Sequence, residues 1–380
     1  MRTFVGNQSR DGNVVYNVTM KYPDEVAFAF NPFLFIIEEA NLASASVTIR
    51  NEEVQNAEVT VTRDAYHGKV YIDAREVVQS LFDIESLAEI DYEQASRSAV
   101  GRRLSFTHSI KLINGEEYQF EAQNHECDIF CIWGALRIGG QEVYNAHRTL
   151  TWYKNFPFTF GMFSNGGGSV LICKDGVADR FINLGEQGVW NIPLIASDKA
   201  KNYFLVQDCT GQFVEMTFDR TFDMTFRYSG GGNKTEKIRI NVDESDEGVY
   251  LRWVDRFGFF NYHLFKRGNE KRKTTAGEYM QNNLAAYDMS YGYQGTFGRR
   301  QKFERKDELA ICAPLVDSDM WDILFDITTS PIVDVFAGYE GGVPRWMSVT
   351  VNGGTFTKTG AALQDFELSV NLPEVVIQSF

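Results

Sequence analysis

The sequence lacks any long apolar stretch. No run of about 18 apolar residues, which a membrane-spanning helix would need, occurs in it. The first residues also lack the apolar core of a secretory signal peptide. Five cysteines form an odd and scattered set, at positions 127, 131, 173, 209 and 312. Because unpaired thiols are typical of a reducing compartment, we expect synthesis in the cytoplasm and no membrane insertion.

Motifs of known catalytic centres are also lacking. The chain contains no G-x-S-x-G nucleophile elbow, and none of its five histidines stands in a motif with a serine or cysteine nucleophile. A glycosidase needs only two carboxylates, which leave no motif, so this alternative stays open among the 51 acidic residues. We therefore expect a protein without enzymatic activity and without a cofactor.

Three segments imitate ligand sites without completing them. In His125–Cys131 the three ligand-type side chains share one face of a predicted strand, but the two thiols would lie about 13 Å apart, too far for one zinc ion. Asp243–Gly248 begins like a calcium loop, but Val254 stands where its last glutamate belongs, which leaves only a looser calcium site open. Gly230–Thr235 lacks the glycine that precedes the lysine of a phosphate-binding loop. The sequence therefore predicts no metal site.

Aromatic residues and glycine are abundant, whereas proline is scarce. The chain has 30 Phe, 17 Tyr and 32 Gly but only 8 Pro. Aromatic side chains favour strands, and glycine favours turns and bulges. A chain of 380 residues can form two or three hydrophobic cores. We predict a mainly β fold of two or three sandwich-like or barrel-like domains with a few short helices, divided into residues 1–135, 136–245 and 246–380.

The most regular segment is Val249–Phe265. Apolar and polar residues alternate in its first half, as in a half-buried strand, and the alternation resumes after residue 259. Asp255 and Gly258 occupy the first and fourth positions of a turn, where Asp can bond the backbone and Gly tolerates the exit geometry. The segment therefore predicts an aromatic-rich β-hairpin.

Short helices are predicted at three places. One covers Ala74–Phe82 with Asp73 as its N-cap, and a second covers Ala276–Ala286. The third covers Ser318–Thr328, with Ser318 as its N-cap and an apolar stripe along one side.

The net charge of −14 should repel nucleic acid, so we expect no direct nucleic-acid binding. Two basic segments, Lys266–Lys273 and Arg299–Lys306, interrupt this acidic chain. They are either solvated loops or contacts with an acidic neighbour, such as another copy of the same protein. The candidate contact residues are Lys271, Arg272, Lys273, Arg299 and Arg300.

Two aromatic segments, Trp152–Phe160 and Tyr287–Phe297, also require an explanation. Flat rings could stack on sugars and form a carbohydrate-binding or adhesion module. Alternatively, they pack in a core or an interface, where Tyr and Trp are favoured anchors. Tyr291 and Tyr293 of the second segment join the candidate contact residues.

Three segments of the last third share a layout with a known group of proteins. They are the hairpin Tyr250–Phe265 with the basic segment behind it, the helix-to-strand step Asp319–Phe336, and the closing strands Trp346–Val351 and Phe366–Leu372. Over residues 250–380 the chain resembles virion structural proteins of tailed bacteriophages and prophages, especially tail and baseplate-type components from phages of gut bacteria. Residues 1–245 carry no family motif.

The resemblance implies a non-catalytic protein that assembles into an oligomeric ring or collar of the virion tail. Its partners would be copies of itself and other virion proteins. Its location would be the virion, after synthesis in the host cytoplasm. In such assemblies, loops and sheet edges meet, and basic segments can set the register against acidic neighbours.

Overall fold

The computed structural model confirms a mainly β protein. It describes residues 1–10, 13–83, 89–120, 128–136, 147–165, 168–174, 177–194, 203–207, 213–217, 222–229, 235–276, 279–280, 287–289, 292–293, 299–300 and 303–373. Contacts divide the chain into two compact units. The first unit comprises Met1–Glu244 and Val254–Asn261, and the second comprises Ser245–Trp253 and Tyr262–Phe380. The predicted boundary at residue 135 falls inside the first unit, and the three-domain division stays a prediction.

The first half of unit one forms two sheets. Its elements are β1 (Arg2–Arg10), β2 (Asn13–Tyr22), β3 (Val26–Phe28), β4 (Leu34–Glu38), β5 (Leu42–Asn51), β6 (Glu58–Asp64), β7 (Lys69–Asp73), α1 (Arg75–Ser80), β8 (Ser96–Arg97), β9 (Gly101–Leu112), β10 (Glu117–Phe120) and β11 (Ile129–Ile132). One sheet has the order β1-β2-β4-β7 and the other β3-β11-β9-β5-β6, with β10 beside β9. Phe35 and Phe106 meet between the sheets with ring centroids 5.0 Å apart, as in a β-sandwich.

The second half of unit one is also built from strands. Its strands are β12 (His147–Tyr153), β13 (Thr159–Asn165), β14 (Gly168–Lys174), β15 (Val177–Leu184), β16 (Gln187–Pro193), β17 (Tyr203–Gln207), β18 (Phe213–Thr217), β19 (Phe222–Ser229) and β20 (Thr235–Asp243). They form the sheets β12-β20-β19-β14-β15, β13-β16-β8 and β17-β18. Because β8 from the first half pairs with β16, the two halves share hydrogen bonds.

The second unit is built on a sheet of seven strands. Its elements are β21 (Val249–Val254), β22 (Phe260–Ala276), β23 (Tyr279–Met280), β24 (Tyr287–Asp288), β25 (Gly292–Tyr293), β26 (Arg299–Arg300), β27 (Phe303–Val316), α2 (Ser318–Phe325), a 3-10 helix (Asp326–Thr328), β28 (Val333–Glu340), β29 (Val343–Ser348), β30 (Thr350–Val351) and β31 (Gln364–Asn371). The main sheet has the order β29-β28-β21-β22-β27-β31-β30. Short pairs β23-β26 and β24-β25 accompany it.

The predicted hairpin is confirmed, and its turn is held by one carboxylate. Asp255 Oδ1 accepts hydrogen bonds from the backbone N–H groups of Phe257 and Phe259, each at 2.9 Å. Its Oδ2 accepts a third from Asn261 Nδ2 at 2.7 Å. Gly258 has φ +81°, and a Cβ there would lie 2.5 Å from Ile132 Cγ2. The turn therefore needs glycine for both its backbone angle and its close packing.

The hairpin strands are buried on both faces, so the expectation of a half-buried strand is wrong. Every residue of β21 is buried. Leu251 and Trp253 enter the hydrophobic core of the second unit. The opposite face carries Arg252, whose Nε donates to Asp334 Oδ2 at 2.9 Å and whose guanidinium carbon lies 4.4 Å from the ring centroid of Trp346. A buried arginine is tolerated there because it has both an ion pair and an aromatic cover.

Two of the three predicted helices are confirmed. Helix α1 buries Val78, but its N-cap is Ala74, without a side-chain cap, instead of Asp73. The carboxylate of Asp73 accepts from the N–H of Arg75, the first residue of the helix, at 3.1 Å. Helix α2 buries Trp321 and Leu324, but its N-cap is Asp317 instead of Ser318. The Asp317 carboxylate accepts from the N–H of Met320 at 2.8 Å.

The helix predicted over 276–286 is wrong where the structure describes it. Ala276 ends β22, and Tyr279–Met280 is the short strand β23. Ala276 lies opposite Phe303 in β27, so pairing with that strand overrides the local helical pattern. The remaining residues of that prediction lie outside the described part of the chain.

Truncating Trp253 should cost about 3–5 kcal/mol of unfolding free energy, because its side chain is fully buried in the core. We expect Trp253→Ala to lower the midpoint of urea unfolding by a corresponding amount. Val343→Ala is the matched control, since Val343 lies in the same sheet but is 65% exposed. Equal effects of the two substitutions would contradict the assignment of Trp253 to the core.

His108 should make stability depend on pH. It is 6% exposed in β9, with the ring of Phe4 5.5 Å away. Burial lowers the pKa of His108 from its ordinary 6.5 to about 4. Between these pH values the unfolded chain binds the proton and the folded chain does not, so stability should fall as pH drops from 6.5 toward 4.

The free energy of unfolding should fall by about 3 kcal/mol between pH 6.5 and pH 4. Urea unfolding of the wild type and of His108→Leu at a series of pH values measures it. The substituted chain should lose this part of the slope. An unchanged slope would show that His108 is already charged in the folded protein.

Candidate interaction site

The basic segment at 266–273 is part of a strand, not a loop. Strand β22 runs for 17 residues, and all of Lys266–Thr275 is exposed. It pairs antiparallel with β27, from Lys266 opposite Cys312 to Ala276 opposite Phe303, with a bulge between Arg267 and Glu270. We call Lys266–Ala276 the basic strand.

The register places the basic side chains on two different faces. Lys271 lies opposite Glu308, and Lys273 lies opposite Lys306. Arg272 lies opposite Asp307, which is 6% exposed and precedes the buried Leu309 by two residues. Side chains alternate along a strand, so Lys271 and Lys273 share the outer face while Arg272 belongs to the inner one.

The inner face is neutralised by ion pairs. Arg272 contacts Glu270 at 3.1 Å, and Arg267 approaches the same carboxylate at 3.7 Å. Arg305 donates two hydrogen bonds to Asp307, at 2.7 and 2.6 Å. This bidentate geometry fixes β27 beside the core, and it leaves little unbalanced charge on this face.

The outer face keeps a net positive charge. Within the described part of the chain, Lys271, Lys273 and Lys306 form no ion pair. Lys273 and Lys306 face each other directly across the two strands, an arrangement of like charges that destabilises a sheet. Glu308 is the acidic residue opposite Lys271. We call Lys271, Lys273 and Lys306 the lysine face.

The outer edge of the basic strand also lacks a backbone partner among the described strands. The neighbours of β22 in the sheet are β21 and β27. Strand β21 has only six residues, and Gly248, just before it, already lies beside the Phe265 carbonyl oxygen. Beyond Phe265, no described strand pairs with the N–H and C=O groups on that side, and an edge of this kind can pair with another chain.

The other predicted contact residues lie on short strands. Arg299 and Arg300 form β26, opposite Met280 and Tyr279 of β23. Tyr293 ends β25, opposite Tyr287 of β24. For these residues the structure describes the strand position, whereas Tyr291 lies outside the described residues. Their membership of one site with Lys271 and Lys273 stays a prediction.

The first aromatic segment does not present flat rings to solvent. In Trp152–Phe160, the side chains of Trp152 and Tyr153 are 5% exposed and that of Phe160 is fully buried. This burial favours the packing role over sugar stacking. Most of the second segment, 287–297, lies outside the described residues, although Met289 is 90% exposed.

The segments that partly match metal-binding motifs contain solvent-exposed or buried side chains where the structure describes them. Glu244–Gly248 is exposed, and Lys154 Nζ contacts Glu244 at 2.6 Å. Burial raises the pKa of the Cys131 thiol, which is free. His125 and Cys127 lie outside the described residues. Over the ranges that the structure describes, no three His, Cys, Asp or Glu side chains are grouped so that they could hold a metal ion.

Sequence reasoning missed the buried contact between Arg252 and Asp334. Arg252 stands at a polar position of an alternating pattern, which predicts exposure. Strand β28 and the ring of Trp346 cover that face instead. The many aromatic residues on both sides of Arg252 were the one signal that could have indicated a second buried face.

Comparison with known proteins adds no relative. No model of a known protein family matches the chain. A search of curated proteins also finds no match. Among the described residues, no helix has both the length and the apolar character of a membrane span.

Reversing the charge of the lysine face should leave folding intact. Lys271→Glu with Lys273→Glu breaks no ion pair of the described residues. It places a like charge opposite Glu308 but turns the like-charge pair with Lys306 into an opposite-charge pair, so the two effects offset and we expect a change within about 0.5 kcal/mol. Arg272→Glu should cost more, because it places a carboxylate beside Glu270 and opposite buried Asp307. Urea unfolding of the three chains measures the difference. Equal stabilities would contradict the assignment of Arg272 to the inner face.

Proposed function

We propose that this chain is a non-enzymatic structural protein of a phage virion, and that it assembles into an oligomeric ring or collar of the tail or baseplate. The observation that carries the assembly role is the basic strand. It contains a ten-residue segment that is exposed on both faces and has no described partner strand along one side. An edge of this kind is a common site for association of chains.

Charge supports the same proposal. The chain is acidic overall, yet the basic strand carries five basic residues and one acidic residue. Such a segment attracts an acidic surface, and the most abundant acidic surface available to an assembling protein is its own neighbour. The virion context rests on the resemblance of residues 250–380 to tail and baseplate components.

The sequence contains no motif of a known catalytic centre, which is consistent with the proposed class. A ring component acts through its surfaces and needs no catalytic site. The carbohydrate-binding alternative depended on two aromatic segments. The burial of Trp152–Phe160 removes the support that the first of them gave.

Negative-stain images of the purified chain at low salt should show ring-shaped particles. Raising the salt to about 1 M, where the screening length falls to about 3 Å, should shift the protein toward smaller species. Light scattering after size-exclusion chromatography measures this shift. Glycan-array binding by a chain that remains a monomer under all these conditions would contradict the proposal and favour the adhesion module.

A further inference from the structure

Two exposed acidic residues, Asp246 and Glu247, lie in the same compact unit as the basic strand. Glu244–Gly248 is fully exposed and precedes β21 directly. Asp246 and Glu247 form no ion pair with any described residue. They belong to the same compact unit as the lysine face. Both sets of charge are therefore exposed and unneutralised within one unit, without contacting each other.

We propose that Asp246 and Glu247 of one copy bind the lysine face of the next copy. This inference rests on the proposed function and adds the identity of the two contacting surfaces. Lysine and carboxylate side chains that remain unpaired within a subunit can be neutralised between subunits. The three lysines of the lysine face and Glu308, opposite Lys271, together carry a net charge of +2, which the two carboxylates of Asp246 and Glu247 match.

The same charges determine the symmetry of the contact. If two copies met through their basic strands around a twofold axis, the interface would collect ten basic and two acidic side chains. Repulsion among them opposes such an isologous dimer. A contact between two different surfaces can instead repeat head to tail, and it then produces a ring when the rotation closes, or a filament when it does not. The charge pattern therefore favours a ring over a pair that is joined through the two basic strands.

The open backbone edge gives the contact its direction. An edge strand can accept hydrogen bonds from an extended segment of the next copy, while the lysine face holds the carboxylates beside it. Backbone pairing supplies affinity without selecting a sequence. The charged side chains select the partner and set its register.

Two charge-reversed chains test the proposal. The strand variant carries Lys271→Glu and Lys273→Glu, and the loop variant carries Asp246→Lys and Glu247→Lys. Each should weaken self-association at low salt by at least tenfold in Kd, measured by sedimentation equilibrium. The chain with all four substitutions has its charges exchanged, so it should recover most of the affinity of the unaltered chain.

Mixing the two variants gives the sharpest result. The strand variant retains its acidic segment, and the loop variant retains its lysine face. The reversed face of the strand variant is also complementary in charge to the reversed segment of the loop variant, so the mixture should recover association in alternating copies. Under an isologous contact through the basic strands, the reversed and the unaltered face would attract each other, and the mixture would stop at a heterodimer.

A matched control carries Lys21→Glu and Arg63→Glu, which change the net charge by the same amount on exposed strand positions of the first unit. It should associate as the unaltered chain does. If rings persist in both the strand and the loop variants, or if the control is equally impaired, this inference fails and the proposed function stands. If the unaltered chain never associates, the proposed function fails as well.

Discussion

The Asp255 carboxylate is the interaction on which the arrangement of the described chain depends most. It accepts three hydrogen bonds, two from backbone N–H groups of the turn and one from the Asn261 amide. The turn residues Val254–Asn261 cluster with the first unit, while the strands on either side belong to the second. One side chain therefore fixes the geometry of the turn between β21 and β22. Its surroundings are tightly packed, since a Cβ on Gly161 would lie 2.3 Å from Phe259 Cδ1.

The position of the basic strand follows from this turn. Strand β22 leaves the turn buried on both faces and becomes exposed on both faces at Lys266. Strand β21 begins only at Val249, at its end away from the turn, so β22 continues beyond its partner. On the other side β27 remains paired with β22 and β31, which holds the exposed segment rigid. A rigid, exposed edge loses little conformational entropy when it binds.

The sequence predicts the features that depend on neighbouring residues. The turn at Asp255 and the apolar stripe of α2 are local patterns, and the structure confirms them. Features that depend on distant residues were missed. The local sequence predicts a helix at Ala276, but this residue lies opposite Phe303 in a neighbouring strand. The alternating pattern predicts that Arg252 is exposed, but its side chain contacts Asp334, 82 positions away.

In the candidate site, too, the sequence predicts the local features and misses those that depend on distant residues. The sequence identifies Lys271, Arg272 and Lys273 as one basic group, because composition and spacing are local. Only the register of β22 against β27 separates Arg272, which contacts Glu270, from the two lysines on the opposite face. No local pattern fixes that register, because it depends on the bulge after Arg267 and on which strand becomes the neighbour.

The lysines of the outer face have two physical effects that work together. Charged residues on an exposed edge prevent indiscriminate pairing with other strands, since an approaching copy of the same edge meets like charge. That repulsion disappears when the approaching segment is acidic, and attraction replaces it. A single pair of side chains, Lys271 and Lys273, can therefore keep free subunits apart along one surface and join them along another. The opposed pair Lys273 and Lys306 reduces the stability of the isolated sheet, and a carboxylate from a neighbour would relieve it.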